Sequence, residues 1–463
     1  MVRKGSVVLL KESIAANKNN ISACLQTDVT VVCVSRETGN NKFMPFRALY
    51  EHNNKFWLRN ENWEYFLSND DFAKVQEAAS KMGPRWEPSA VRPDESGTKE
   101  TDESFGKGYQ TIASMTEIER IKHITEDKNR LASLIAQKPR QERLVTEALV
   151  ETAQNAMLHN HAALVNVMAL SNDEAKKQTQ SLVDSTRDLV KATSQLISDN
   201  IFNDELMNTL VAKSNGTIIQ HMTRTYLNGL AFLSYYNKLV SSSSMITKLR
   251  ISLDDRHRHF YQSLLPHEYL EDIILEKVFL GGMRKVTENN FYNWATGFLI
   301  HDIGKAGAVE YHEGEAAYDR DIVVEHVKVG YTAIDNKTNY PKEAALITGY
   351  HHEYYGDPAG YGYFRSYLDE YKKLNPQATQ GYCITYDLEP MLDYEALSYF
   401  PAKVLEIIDV FDSVTDPNRK YHKALSTEDA IDMMQEEFVN QHHKIDMILF
   451  DIFTGFIKEK LAS

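Results

Sequence analysis

The feature that most constrains this chain is an apolar run that ends in an adjacent histidine and aspartate. Residues 298–300 lead into His301 and Asp302, and Gly304 and Lys305 follow at once. Adjacent positions on a helix lie about 100° apart around its axis, so both side chains can face one metal ion. Imidazole and carboxylate groups suit first-row metals such as iron, manganese and zinc. The stretch predicts a helix that ends at a metal-binding pair, although an isolated pair also occurs by chance.

Further candidate ligands follow the pair in a consistent order. They are His326, the pair His351 and His352 followed by Glu353, and the two aspartates Asp409 and Asp412 of an apolar helical segment. Buried histidines are common and usually satisfied by a backbone partner. A purely structural explanation must nevertheless place each of these residues beside an apolar face independently. The set therefore predicts a metal centre.

In this order and context, the motifs resemble those of the HD-GYP family, a branch of the HD metallohydrolase superfamily, from about Asn203 onward. The corresponding motifs occupy residues 301–305, 326–331, 351–353, 408–415 and 419–426. The signature Gly-Tyr-Pro appears as Gly360, Tyr361 and Gly362, one residue further from His-His-Glu than usual. Proline would fix this loop, and the glycine predicts a looser one.

The resemblance implies two divalent transition-metal ions, with iron or manganese expected. Asp302 is the expected bridge, because a carboxylate has two oxygens. The expected ligands are His221, His301 and Asp409 for one ion, and His326, His351 and His352 for the other. Two metals about 3.5–4 Å apart can hold a bridging hydroxide and clamp a phosphodiester for in-line attack.

The histidine that precedes the His-Asp pair has several candidates: His221, His257, His259 and His267. Spacing alone favours His267, whereas sequence context favours His221, which requires an insertion of roughly forty residues before Phe291. Thr217 stands one turn before His221, where some family members have a glutamate that binds a third metal. Threonine supplies no carboxylate, which favours a two-metal site.

Several residues are expected to serve the substrate or to support the ligands. Asp302 and Lys305 are the predicted catalytic residues, and Lys305 is a compact cation suited to a phosphate oxygen. The other predicted substrate contacts are Tyr361, Arg419 and Lys423. Arg419 can hold a phosphate with a bidentate fork. Glu353 and Asp412 are expected to orient the ligands, and for His352 a substrate contact or a supporting role remains an alternative to ligation.

The activity implied by the resemblance is hydrolysis of cyclic di-GMP to pGpG, or further to GMP. The spacing of the ligands by itself indicates only a metallophosphohydrolase. One alternative is a cyclic-dinucleotide receptor with little turnover. Another is an HD phosphohydrolase that acts on a different cyclic dinucleotide or nucleotide, which the Gly-Tyr-Gly loop keeps open.

The predicted fold is mainly α, with an all-helical HD-type catalytic domain over residues 201–463. Residues 1–82 predict a small α/β domain for regulation or partner binding, including a signalling protein, with a strand at 28–34. Residues 83–110 carry prolines and many charges and predict a flexible linker. Residues 111–200 predict helices on which Leu182, Leu189 and Leu196 repeat every seven residues. That stripe fits either core packing or a homodimer.

Composition limits the setting and the partners. The formal net charge of −14 argues against a general DNA-binding protein. The cysteines, Cys24, Cys33 and Cys383, show neither zinc nor disulfide spacing, which favours a reducing cytoplasm. The basic N-terminus is followed by an apolar run too short for a signal peptide, and no run reaches the length of a membrane span.

Overall fold

The fold is known from a computed structural model of the chain. It describes residues 7–9, 24, 27, 29–36, 38, 41–46, 63–81, 112, 114–137, 141–199, 218–251, 253, 255–308, 320–356, 360–365, 374–375, 380–417 and 424–462. The predicted linker at residues 83–110 lies outside these ranges. The chain divides into two compact units, Met1–Glu95 and Ser96–Ser463.

The N-terminal unit contains an antiparallel sheet and a closing helix. Its elements are β1 (Val7–Leu9), β2 (Thr30–Ser35), β3 (Asn41–Pro45), β4 (Trp63–Ser68) and α1 (Asn69–Lys81). The strand order is β1-β4-β2-β3. β2 is rich in β-branched residues, which favour strands, and Val31 and Cys33 are fully buried. The Ser68 hydroxyl accepts a hydrogen bond from Asp71 N at 3.0 Å and so caps the start of α1.

The second unit is mainly helical, as predicted. Its longer helices are α2 (Glu117–Ala136), α3 (Glu142–Val167), α4 (Asn172–Asp199), α5 (Ile218–Val240), α6 (Ser243–Ile251), α7 (Asp255–Leu264), α8 (Leu275–Val278), α9 (Glu288–Ile300), α10 (Arg320–Lys337) and α11 (Lys342–Tyr350). After these come α12 (Leu388–Leu392), α13 (Phe400–Thr415), α14 (Thr427–Met433), a π-helix (Met434–Gln441) and α15 (Met447–Ala462). Short 3₁₀ segments occupy Leu270–Asp272, Ile303–Ala308 and Tyr354–Gly356. In the described part of the chain, no helix is both long and apolar enough to cross a membrane.

The central helices α2, α3 and α4 pack into the same hydrophobic core as the helices that follow them. Leu182, Leu189 and Leu196 of the predicted seven-residue stripe are 2 %, 1 % and 7 % exposed. Thr193 of α4 also forms a hydrogen bond with the Tyr226 hydroxyl of α5. The stripe is therefore occupied by core packing within one chain, and it is not a free surface for a second copy.

The expectation of an all-helical C-terminal part is wrong in one respect. Strands β5 (Tyr382–Thr385) and β6 (Ala396–Tyr399) form a small parallel sheet. Tyr382 of β5 is aromatic and Ile384 and Thr385 are β-branched, and Cys383, Ile384 and Thr385 are fully buried. Such short segments lack the periodicity by which a strand is distinguished from a buried helical turn.

Candidate metal centre

The predicted ligands lie on separate segments that converge inside the second unit. α5 carries His221 near its start, and α9 packs against α5 and ends directly before His301. α10 carries His326, α11 ends before His351, and α13 carries Asp409. All the predicted ligands are at least nine-tenths buried. The structure therefore brings together residues that are far apart in sequence.

A close contact between glycines places the His-Asp pair beside α10. A Cβ atom on Gly304 would lie 1.9 Å from the carbonyl oxygen of His326 and 2.6 Å from the backbone nitrogen of Gly330. Only glycine can occupy that position without moving the backbone. The turn after α9 therefore lies directly on α10, which brings Asp302 within reach of His326.

The donor atoms form overlapping groups. In each group the potential ligand atoms lie within 4.8 Å of one another: His221 with His301 and Asp409, His301 with Asp302 and His351, and His326 with His351 and His352. The closest pair in the first group is His221 Nε2 and Asp409 Oδ1, at 2.7 Å. His326 Nε2 and His351 Nε2 approach to 3.3 Å. Such groups of nitrogen and oxygen donors can hold a metal ion.

Asp302 lies between the two outer groups, and its oxygens face opposite sides. Oδ2 is 3.7 Å from Nε2 of both His221 and His301. Oδ1 is 3.0 Å from His326 Nε2 and 3.8 Å from His351 Nε2. This placement matches the position expected of a carboxylate shared between both groups.

Several buried atoms of the predicted ligands have no hydrogen-bond partner among the described residues. They include His301 Nε2 and His352 Nδ1. His301 Nδ1 lies 2.9 Å from the carbonyl oxygen of Phe298, so it carries the proton and leaves the lone pair on Nε2. His351 is oriented in the same way by the carbonyl of Thr348 at 2.8 Å. Unsatisfied buried polar atoms are rare, and these fit metal ligation.

The charge states expected from the environment also suit metal binding. Burial lowers the pKa of His301, of His352 and of His351, the last to about 3, so that these rings are neutral. Burial alone would raise the pKa of Asp302, but Lys305, His301 and His326 hold it well below its usual range. Burial would also raise the pKa of Asp409, but the hydrogen bond and charge interaction with His221 hold that pKa well below its usual range. Neutral imidazoles and ionised carboxylates are the forms that bind metals.

Lys305 pairs with the central aspartate. Its Nζ atom donates to Asp302 Oδ2 at 2.6 Å, and its side chain is 22 % exposed, whereas that of Asp302 is 1 % exposed. The lysine therefore stands at the outer side of the buried donors. Arg419 and Lys423, the other predicted phosphate cations, lie outside the described residues, as does Thr217.

Asp412 supports His221 from behind, as predicted. Asp412 Oδ2 lies 2.7 Å from His221 Nδ1, and this bond directs Nε2 towards the donor groups. Arg224 donates to both oxygens of Asp412, at 2.6 and 2.9 Å, and it also bonds Asp416. Arg224 and Asp416 were not predicted as site residues. Their positions three residues after His221 and four after Asp412 were the available signal, because such neighbours share a helix face.

The Gly-Tyr-Gly loop packs on the centre through backbone hydrogen bonds and a ring contact. Tyr361 N and Gly362 N both donate to the carbonyl oxygen of His352, at 3.0 and 3.1 Å. The Tyr361 ring lies 4.3 Å from the His352 ring, so Tyr361 packs on a predicted ligand. Glu353 Oε1 accepts a bond from Phe364 N at 2.8 Å. The loop is thus tied to the His-His-Glu segment.

Glycine at position 362 is required by the Glu353 side chain. A Cβ atom there would lie 2.2 Å from Glu353 Cδ, and that carboxyl is buried and bonded to the loop. Gly362→Ala should therefore lower the free energy of unfolding by about 1–3 kcal/mol through overpacking. Urea unfolding of the metal-free protein measures this.

Gly381→Ala is the matched control for Gly362→Ala. A Cβ atom on Gly381 would meet nothing within 4 Å. Equal stability of the two variants would show that the Glu353 carboxyl moves aside freely, and would contradict the packing described for the loop.

Comparison with protein-family models, with curated proteins and with solved structures finds no match to this chain. The resemblance in sequence motifs therefore stays an expectation, and the site stands on its own geometry.

Proposed function

We propose that this chain is a metal-dependent phosphodiesterase that hydrolyses a cyclic dinucleotide, with cyclic di-GMP the expected substrate and pGpG or GMP the product. The observation that carries the proposal is the position of Asp302. One of its oxygens faces His221 and His301, and the other faces His326. A buried carboxylate between two sets of imidazoles is what a two-metal hydrolytic centre requires.

The donor set supports two first-row ions such as iron or manganese. His221, His301 and Asp409 would hold one ion, and His326, His351 and His352 the other, with Asp302 shared. Bound together, such ions supply a water of lowered pKa as nucleophile and neutralise charge on the phosphate. The Nε2 atom of the buried His352 lies 3.9 Å from Asp409 Oδ2, beside the donor groups, which supports ligation over a supporting role.

Other residues of the protein would orient the histidine ligands and neutralise charge on the substrate phosphate. Asp412 and Arg224 fix the ring of His221, and the carbonyl oxygens of Phe298 and Thr348 fix those of His301 and His351. Lys305 carries a positive charge at the outer edge of the donors, where a phosphate oxygen can replace its bond to Asp302. Fixed ligands and a nearby cation favour binding of an anionic diester.

The test joins metal analysis to a substrate panel. Protein purified without chelators should carry about two transition-metal ions per chain and should hydrolyse cyclic di-GMP faster than other cyclic dinucleotides. Chromatography of the products distinguishes pGpG from GMP. Metal-loaded protein that binds but does not hydrolyse any member of the panel would indicate the receptor alternative. Protein that takes up no metal under any loading condition would overturn the proposal.

Loss of the lysine charge should weaken the reaction without removing metal. A charged hydrogen bond contributes roughly 1.5–3 kcal/mol, and each factor of ten corresponds to about 1.4 kcal/mol. Lys305→Ala should therefore lower kcat/KM by about ten- to a hundredfold. Metal content should stay unchanged, because an ammonium group cannot ligate.

Lys342→Ala is the matched control for Lys305→Ala. Lys342 also bonds an aspartate, Asp335, at 2.8 Å, and is of comparable exposure, but it belongs to none of the donor groups. Equal kinetics of the two variants and the parent protein would mean that the substrate does not lie against Lys305.

A further inference from the structure

A strained turn follows the paired histidines directly. Tyr354 and Tyr355 have φ angles of +32° and +38°. Bulky residues rarely adopt this left-handed conformation, because Cβ approaches the following carbonyl oxygen. Strain of this kind persists only where the surrounding structure holds it. The turn therefore requires contacts that compensate for it.

Those contacts come from two distant parts of the chain. The Tyr355 hydroxyl donates to Asp446 Oδ2 at 2.6 Å. The Nζ atom of Lys403 lies 4.0 Å from the centre of the Tyr355 ring, in cation–π contact. We call Tyr355, Lys403 and Asp446 the tyrosine clamp. Its two charged members are 2 % and 0 % exposed.

Each charged member of the tyrosine clamp is itself held in place. Asp446 Oδ1 accepts from the backbone nitrogen of Leu449 at 2.8 Å, at the start of α15. Lys403 Nζ donates to Glu406 Oε2 at 2.9 Å and to the carbonyl oxygen of Lys444 at 3.0 Å. A buried group with its bonds satisfied on several sides is rigid. The tyrosine clamp is therefore anchored to α13 and α15.

The tyrosine clamp joins the paired histidines to the helix that supplies Asp409. Tyr355 follows His352 by three residues, and Lys403 precedes Asp409 by six on α13. Among the described residues, Tyr355 forms no hydrogen bond with any of the predicted ligands, so its influence on them passes through the turn. Ligand orientation by outer groups typically changes metal affinity by about 10- to 100-fold.

We propose that Tyr355, Lys403 and Asp446 are positioning residues that hold His351 and His352 in the geometry of the metal centre. This inference rests on the proposed function, because it assumes that the histidines bind metal. It adds to the centre three supporting residues that lie outside the sequence motifs. The tyrosine clamp acts on the histidines through the strained turn at residues 354–355.

Tyr355→Phe tests the inference with the smallest change. It removes the hydroxyl bonded to Asp446 and leaves the ring beneath Lys403. The affinity for Mn²⁺, measured by titration of metal-free protein with electron paramagnetic resonance detection, should fall about 10- to 100-fold for one ion. The spin coupling between paired ions should weaken in the same sample, a signature that general destabilisation does not produce.

Tyr261→Phe is the matched control, because Tyr261 donates to the same carboxylate, at 3.1 Å to both oxygens, but lies on α7. Both variants take one hydroxyl from Asp446, and Tyr261→Phe also removes the acceptor of the Ile448 backbone nitrogen, 3.1 Å away, so it should lower the free energy of unfolding at least as much as Tyr355→Phe. Only Tyr355→Phe should change metal affinity and spin coupling. If the two variants bind Mn²⁺ as the parent does, the tyrosine clamp has no positioning role.

The outcomes separate this inference from the proposed function. A parent protein without metal affinity removes the basis of both. A parent that binds two ions and hydrolyses substrate, with Tyr355→Phe unchanged, overturns the clamp alone. If Tyr355→Phe and Tyr261→Phe lose affinity equally, the bonds to Asp446 serve stability, and the inference is also overturned.

Discussion

Asp302→Ala should yield a folded protein with no tightly bound metal and no measurable hydrolysis. The carboxylate is the group shared between the two sets of imidazoles, with oxygens 3.7 Å from His221 Nε2 and 3.0 Å from His326 Nε2. Loss of an outer group that only orients a ligand costs about 10- to 100-fold in metal affinity or activity. Loss of a ligand that serves both ions should exceed that range. Metal analysis and a cyclic dinucleotide assay measure both effects.

The isosteric variant Asp302→Asn separates charge from volume. It keeps the side chain's size but removes the negative charge that pairs with Lys305 at 2.6 Å. It should lose metal as Asp302→Ala does, because an amide is a weak ligand for these ions. Asp127→Ala controls for loss of a carboxylate elsewhere, since Asp127 bonds Asn155 on the central helices. Normal turnover in either Asp302 variant would refute the assigned centre.

The residues that form the buried donor groups could be singled out from the sequence because each belongs to a short local pattern. His301 and Asp302 end an apolar helix, and His351 and His352 end another. Patterns of this kind are readable within a few residues. The structure then showed the predicted donors to be buried together. The packing of the helices brings these residues together, and that packing could not be worked out from the sequence alone.

The pairing of the supporting groups with one another could not be predicted, because the two partners of each pair lie far apart in sequence. Asp446 is 91 residues from Tyr355, and Arg224 is 188 residues from Asp412. No local periodicity relates such pairs. The same limit applied to Gly362, whose role depends on Glu353 folding back beneath the loop. The conformational freedom of an isolated glycine likewise gives no indication of the hydrogen bonds from residues 361 and 362 to the His352 carbonyl oxygen.

The leucine stripe of the central helices illustrates a different limit. A seven-residue spacing serves either a dimer seam or the core of one chain, because both bury the same face of a helix. Only the contacts of Leu189 and its neighbours with the later helices decide between them. The small parallel sheet was missed for a related reason, since four-residue strands carry too little periodicity.

His221→Ala should abolish metal-dependent hydrolysis, whereas His267→Ala should leave it intact. The two histidines were rivals for the ligand upstream of His301, and their surroundings differ sharply. His221 is 3 % exposed, and its Nε2 lies 2.7 Å from Asp409 Oδ1. His267 is exposed, in the turn after α7. Each variant removes one imidazole, His221→Ala from the donor groups and His267→Ala from the exposed surface.

The loss in His221→Ala has two parts that separate measurements can resolve. One metal would lose a ligand, so metal analysis should show about one ion per chain instead of about two. Asp412 would also lose its contact with the imidazole, although it keeps both bonds to Arg224, so the metal-free protein should stay folded. Urea unfolding in the presence of a chelator checks this. Full activity in His221→Ala together with loss of activity in His267→Ala would exclude α5 as the source of the ligand. The chain would then have no large insertion before Phe291.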